Sequence, residues 1–436
     1  MISGPFLTDL DSERLKLKGS RDPLGIQSIW VRFGRHVVGN LSTVSNSVRD
    51  FTILIFGYHF AEQVAEAAGS GTELATFLKW EQLAGYARAS VNKETGFRGT
   101  ERVGRNLETG TVTLSAETRH QILSSQKLYG LWGLYTVPGR SSGLLDGDPA
   151  RLTIPARQLV EEYYLPKLSA AGMKDGKQIV EMLGKVRVRL DAKGADCKLL
   201  TAIASLLRWD FNTRERTFYR EHLLYGGPKD PTDQRQRQLA ELLAPKLSDG
   251  RFPWSSPALH GLAKEAEGRG EAWHPLAGRL HRIALAETLL APSSALFIHL
   301  LGCHDVSLTD IAKRLQRAWG SKLHTLSMSD LPELQAELGG GDEPTGERWL
   351  AIARAMSAGD YQDLIRLLLA QNRAVMQIRG GASAWIEEQN GRLNVRMPEE
   401  RGGLPAREEL PRLWRFSYFL DSLYAVESAL KENQHD

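Results

Sequence analysis

The sequence predicts a mainly α-helical, multi-domain protein with one internal helix–strand–strand–helix module and a small β-hairpin near the C-terminus. Three observations carry that expectation. Apolar residues recur every three to four positions through most of the 436 residues. Strand-like character is confined to short stretches near 111–114, 151–153, 185–190 and the paired runs 384–388 and 392–397. The chain is also too long for one small core, so two or three domains are the natural expectation. Composition agrees, with 42% hydrophobic and 25% charged residues, values of a folded soluble chain.

Taken in order, Asp22 and Pro23 mark the start of a helix over 24–40, with Ile26, Ile29, Trp30, Phe33 and Val37 on one face. The Ser/Thr/Asn-rich stretch 41–47 supplies caps and a turn, and 48–68 follows as a more deeply buried helix. Gly69 and Gly71 end it, and Thr72 opens a third helix carrying Phe77, Leu78, Trp80 and Leu83. Residues 102–107 and 111–114 are expected to form a small hairpin. A helix over 121–135 then leads to the turn cluster Asp146, Gly147, Asp148 and Pro149, and residues 151–153 return as a short strand. Thr153 caps a helix over 154–164. Helices resume over 176–238, with an extended piece at 185–190. Ser307 caps a helix that turns Leu308, Ile311, Ala312 and Leu315 inward. Asn390 and Gly391 specify a two-residue hairpin turn, because both positions need positive φ. A closing helix is expected around Leu413, Trp414, Phe416, Phe419, Leu420 and Leu423. With linkers near 225–231, 251–257 and 339–346, the expected domains are 1–95, 96–168, 169–340 and 341–436.

The order over 114–165, a helix, two short strands and a closing helix, resembles the winged-helix family, which docks on duplex nucleic acid. That resemblance implies a helix in the major groove and a wing over the phosphates. Ile122, Leu123, Leu128, Leu131 and Trp132 would then be core. Arg119, Gln126 and Lys127 would reach bases or phosphates, Arg140 and Arg151 would flank the wing, and Arg157 would stand at the last helix. Double-stranded DNA is the partner so implied. The wing tip, Asp146 to Asp148, is acidic, which favours protein contact as the alternative use of such a module. Local charge leans slightly basic: ten Lys and Arg against six Asp and Glu over 85–160, and twelve against eight over 180–240.

Several chemistries find no motif. There is no GxxxxGK[ST], no GxGxxG between a strand and a helix, and no GxSxG, so no cofactor is expected. Cys197 and Cys303 form neither a CxxC site nor a disulfide framework, which fits a reducing cytoplasm. The sequence shows neither a secretory leader nor an apolar run approaching a membrane span. His299, Cys303 and His304 are close enough to test as metal ligands, but a structural zinc site needs four ligands, and His260, His274 and His281 are scattered. Asp175, Glu181 and Lys185 are the nearest approach to a nuclease cluster.

Finally, the helical N-terminal segment, the run QKLYGLWGLY at 126–135 before a wing, and the Trp385-Ile386 hairpin resemble uncharacterised bacterial proteins encoded in phage-defence gene clusters. The resemblance implies a cytoplasmic, non-enzymatic accessory subunit beside a nuclease, helicase or ATPase supplied by other genes. The expected function is to bind DNA or a DNA-bound complex and to recruit partner proteins. A protein–protein scaffold and a metal-dependent nuclease with a degenerate site are the alternatives.

Overall fold

The helix over 48–68 begins where Ser47 caps it, its hydroxyl accepting from the Asp50 N–H. In the computed structural model, which describes residues 22–247, 251–321, 323, 331–396, 398 and 403–431, the protein is mainly α. Strands among the described residues form three small antiparallel pairs. The chain divides into two units, one of residues up to 37 with 251–418, the other of 38–250 with residues from 419 onward.

The first described helix, α1 (Ile26–Arg35), belongs to the first unit. The second unit opens with α2 (Val48–Ala68) and α3 (Glu73–Ser90), packed against each other. Phe56, Phe60 and Trp80 interlock at ring separations of 4.9–5.7 Å, and the Trp80 indole donates to the Ile53 carbonyl at 2.9 Å. Each such aromatic, fully buried, contributes about 1.5–3 kcal/mol. Gly57 permits the approach: a Cβ there would lie 2.4 Å from the Phe77 ring. Then follow α4 (Thr100–Glu108), β1 (Thr111–Ser115), α5 (Gln126–Tyr129), α6 (Leu131–Ser141), the short antiparallel pair β2 (Leu145–Asp146) and β3 (Arg151–Leu152), whose hairpin is termed the wing for its position alone, and α7 (Ile154–Leu159). After α8 (Leu165–Ala170) and α9 (Lys177–Gly184), β4 (Arg187–Asp191) pairs with β1 from Thr111↔Asp191 to Ser115↔Arg187. Helices α10 (Cys197–Leu206), α11 (Thr213–Tyr219) and α12 (Arg235–Leu243) continue the unit.

Two expectations change here. Residues 102–107 are helical, and β1 takes β4 as partner instead of a neighbouring strand. The boundaries expected at 95 and 168 fall inside one unit. The reason lies on α3. The Gln82 amide bonds both backbone groups of Ser115, while Lys79 donates to the Leu183 and Lys185 carbonyls. Severing either place would strand buried polar groups.

The first unit contains α13 (Ser256–Glu267), α14 (His274–Leu301), α15 (Leu308–Trp319), α16 (Leu331–Gly339), α17 (Glu343–Ala358) and α18 (Tyr361–Ile378). Contrary to the expectation from sequence, the helix ending at Leu301 is long and apolar enough to cross a membrane; here 83% of that apolar window is buried inside the protein. Of the stretch 339–346, expected as a linker, residues 340–342 are the turn of a helical hairpin and 343–346 are the first turn of α17, which Asp342 caps. The hairpin β5 (Ile386–Gln389) and β6 (Arg392–Val395) turns through Asn390 and Gly391, at φ 52° and 74°, as the sequence requires. The closing helix is shorter than expected. Glu287 of α14 accepts from the Arg415 N–H at 2.6 Å and the Tyr418 hydroxyl at 2.7 Å, and residues 413–418 stay non-helical. Only α19 (Leu420–Ala429), back in the second unit, is helical.

Candidate functional site: a groove between α2, α6 and the wing

Three of the six site residues named from the sequence meet in one groove of the second unit. Helical spacing assembles its walls. Tyr58, Glu62 and Glu66 recur every fourth residue on α2, and Trp132, Thr136 and Arg140 do so on α6, so each set shares a face. Ser70, Gly71 and Glu73 close one end, Asp148 to Arg151 of the wing and Arg157 of α7 the other, around a volume of about 850 Å³.

The floor is aromatic and fixed. Tyr58 and Trp132 stack at 5.1 Å, and Phe77 meets both edge-on at 5.5 and 5.2 Å. The Thr136 hydroxyl donates to the Trp132 carbonyl at 2.6 Å, so the Tyr58 hydroxyl, 2.8 Å away, donates to Thr136. Burial holds the Tyr58 hydroxyl above its ordinary pKa. Trp132, expected as core, is only half-buried and turns toward the groove.

Glu62 organises the wing side. Its carboxylate accepts from the Leu152 N–H at 3.0 Å and from the Arg157 guanidinium. Arg157 also lies 3.8 Å from Glu161, and Arg140 stands 4.0 Å from the exposed Asp148. Behind them His59 is buried with its Nδ1 unpartnered. Burial first, then repulsion from Arg157, pushes its pKa down to about 4 against a smaller pull from Glu62. His59 is therefore neutral near pH 7. Around the groove Arg140, Arg151 and Arg157 face Glu62, Glu66, Glu73 and Asp148, a mixed lining with no surplus of positive charge.

The other three named residues lie elsewhere. Gln126 is 0% exposed, which removes it from contact with any outside ligand. Its amide donates to the Leu78 carbonyl at 2.9 Å and to Glu81 at 2.8 Å, and its oxygen accepts from Gln82 at 3.1 Å. Leu128, expected inside, is 59% exposed. The cause is a break in the helix expected over 121–135: α5 begins only at Gln126, and a fresh helix starts after Gly130. A Cβ on Gly130 would sit 2.4 Å from the Gln126 carbonyl oxygen, and one on Gly133 2.3 Å from that of Leu128. Glu81 secures the restart, accepting the Leu131 N–H at 2.7 Å at the first turn of α6. Burial, only partly offset by those hydrogen bonds, raises its pKa to about 7. Lys127 is exposed on α5. Arg119 is exposed on the turn 118–120, 3.0 Å from Glu117, which also holds Arg187 of β4.

Sequence reading missed Tyr58, Glu62 and Glu66 because they ride on a helix whose apolar first half reads as wholly buried. The polar interruptions at Glu62, Gln63 and Glu66 were the available signal. Elsewhere, Cys303 Sγ lies 3.7 Å from His299 Nε2, burial raises the thiol's pKa, and His304 Nδ1 accepts from the Val395 N–H. Among the described residues no three His, Cys, Asp or Glu converge on a metal position. No protein-family model, curated protein or solved structure matches the chain.

Proposed function

We propose that the protein is a non-enzymatic accessory subunit that docks an extended segment of a partner protein in the groove between α2, α6 and the wing. One observation supports this above the others: three guanidinium groups and four carboxylates share a single aromatic-floored groove. An extended polypeptide offers charges of both signs within a few residues, together with apolar side chains for the Tyr58–Trp132 platform. Duplex DNA offers only negative charge, and would meet Glu62, Glu66, Glu73 and Asp148 at the same surface. The resemblance to proteins of phage-defence clusters makes a nuclease, helicase or ATPase from a neighbouring gene the natural partner.

A second reading, contact with DNA, is favoured by a different surface. Arg187 and Arg189 occupy the exposed face of the β1–β4 ribbon, with Arg119 joined to Arg187 through Glu117. Two-stranded ribbons fit the major groove. Selection of a random peptide display library on the full chain, followed by fluorescence anisotropy with the enriched peptides and with a 30-base-pair duplex at rising salt as a roughly site-sized probe, separates the readings. Groove docking predicts peptides of mixed charge that lose affinity on Trp132→Ala. Duplex binding that falls steeply with salt and vanishes in an Arg119→Glu, Arg187→Glu, Arg189→Glu triple variant would move the function to the ribbon.

A further inference from the structure

We infer that His260 and His281 form a binding site for a borderline divalent transition-metal ion such as Zn²⁺ or Ni²⁺. The two residues stand on α13 and α14, 21 positions apart in the chain, and the packing of those helices brings Nδ1 of one to 3.0 Å from Nδ1 of the other. Neutral imidazoles are the natural ligands for such ions. Two nitrogens bound to one Zn²⁺ at about 2.0–2.1 Å stand about 2.9 Å apart at a right angle and about 3.3 Å apart at the tetrahedral angle. The observed separation lies between, so small side-chain rotations admit the ion. In its absence the same distance is a hydrogen bond, which requires one ring to carry its proton on Nδ1 and the other to leave Nδ1 bare.

The surroundings leave the remaining coordination positions open. His281 is exposed and His260 half-buried. Gly261, beside His260, and Gly278, one turn before His281, have no atom within 4 Å of where a Cβ would stand. Among the described residues no third His, Cys, Asp or Glu joins the pair, so water completes the site. Lys264, one turn after His260, is the cation nearest in effect, and its charge works against metal occupancy. The other His–Cys neighbourhood is a poorer ligand set. The Cys303 thiol is buried, lies against the His299 carbonyl at 3.4 Å, and resists losing its proton.

Isothermal titration of the full chain with ZnCl₂, repeated with NiCl₂, tests the site. The expected result is one equivalent per chain with micromolar affinity. Either His260→Ala or His281→Ala weakens it at least tenfold, Lys264→Ala tightens it severalfold, and His274→Ala or Cys303→Ser leaves it unchanged. Circular dichroism checks that each variant is folded. With Cu²⁺ as probe, electron paramagnetic resonance of the wild type shows coupling to two nitrogens. Absence of binding at millimolar metal, or binding indifferent to both histidines, overturns the inference.

Discussion

Glu81 in the second unit and Glu287 in the first are both buried glutamates that serve as hydrogen-bond hubs, and the two differ in what they hold. In the second unit Glu81 accepts from the Leu131 N–H and from Gln126. In the first, Glu287 accepts from the Arg415 N–H and the Tyr418 hydroxyl. Burial raises both carboxyls to about 7. Glu81 fixes the first turn of α6, and the next residues on that helix, Trp132, Thr136 and Arg140, face the groove. Glu287 fixes a non-helical stretch, residues 413–418, of the first unit. The same device fixes one wall of a groove in one place and holds an irregular segment in the other.

The largest expected effects come from removing the hubs. Glu81→Ala leaves the Leu131 N–H and one Gln126 amide hydrogen without an acceptor, and Glu287→Ala the Tyr418 hydroxyl and the Arg415 and Phe416 N–H groups, costing about 2–4 kcal/mol each. Urea titration monitored on the transition of each unit reads that loss. A loss below about 1 kcal/mol would mean the hubs are incidental. Only Glu81→Ala is expected to abolish peptide binding as well; equal loss in Glu287→Ala would erase the distinction.

Next in size is the dependence on pH. A carboxyl raised from 4.5 to about 7 on folding holds its proton more tightly in the folded chain. Its contribution is fully present below pH 4.5 and lost as pH rises through 7, about 3 kcal/mol for each glutamate. Calorimetric scans across this range show the slope, and Glu81→Gln or Glu287→Gln flattens it in one unit alone. His59 works in the opposite sense. With its pKa lowered from 6.5 to about 4, its contribution is present above pH 6.5 and lost as pH falls toward 4. His59→Leu therefore removes only the acid limb, and only in the second unit.

Smaller effects belong to the groove itself. Trp132→Ala, at a half-exposed position, is expected to cost about 1 kcal/mol of stability yet weaken peptide binding roughly tenfold or more. Arg151→Glu follows, with a several-fold loss read by anisotropy. Smallest is Arg119→Glu, which changes neither stability nor peptide affinity, since Arg119 lies outside the groove on an exposed turn. A tenfold loss there would place the binding surface on the ribbon.

Much of the scaffold was legible because local rules decided it. Ser47 and Ser307 cap the helices they should, and Asn390 with Gly391 turns the hairpin. Thr153 precedes α7 as expected, although its hydroxyl donates to the Gly143 carbonyl and makes no cap. Failures arose where a distant partner overrode the local pattern. Glu81 breaks the helix over 121–135 from 50 positions away, which turns Gln126 in and Leu128 out. Glu287 does the same to residues 413–418 from 128 positions away. Of the site, Arg140, Arg151 and Arg157 were readable as cations near a wing. Glu62, the partner of Arg157 on α2, and the lining residues Glu66 and Glu73 lie outside 114–165, so no spacing within that segment could announce them.

The most direct test is the affinity of one library-selected peptide for three proteins: the wild type, Trp132→Ala, and the Arg119→Glu, Arg187→Glu, Arg189→Glu variant. Groove docking predicts that the peptide binds the first and third alike and loses at least tenfold on the second. Unchanged binding to Trp132→Ala with loss in the ribbon variant would contradict it.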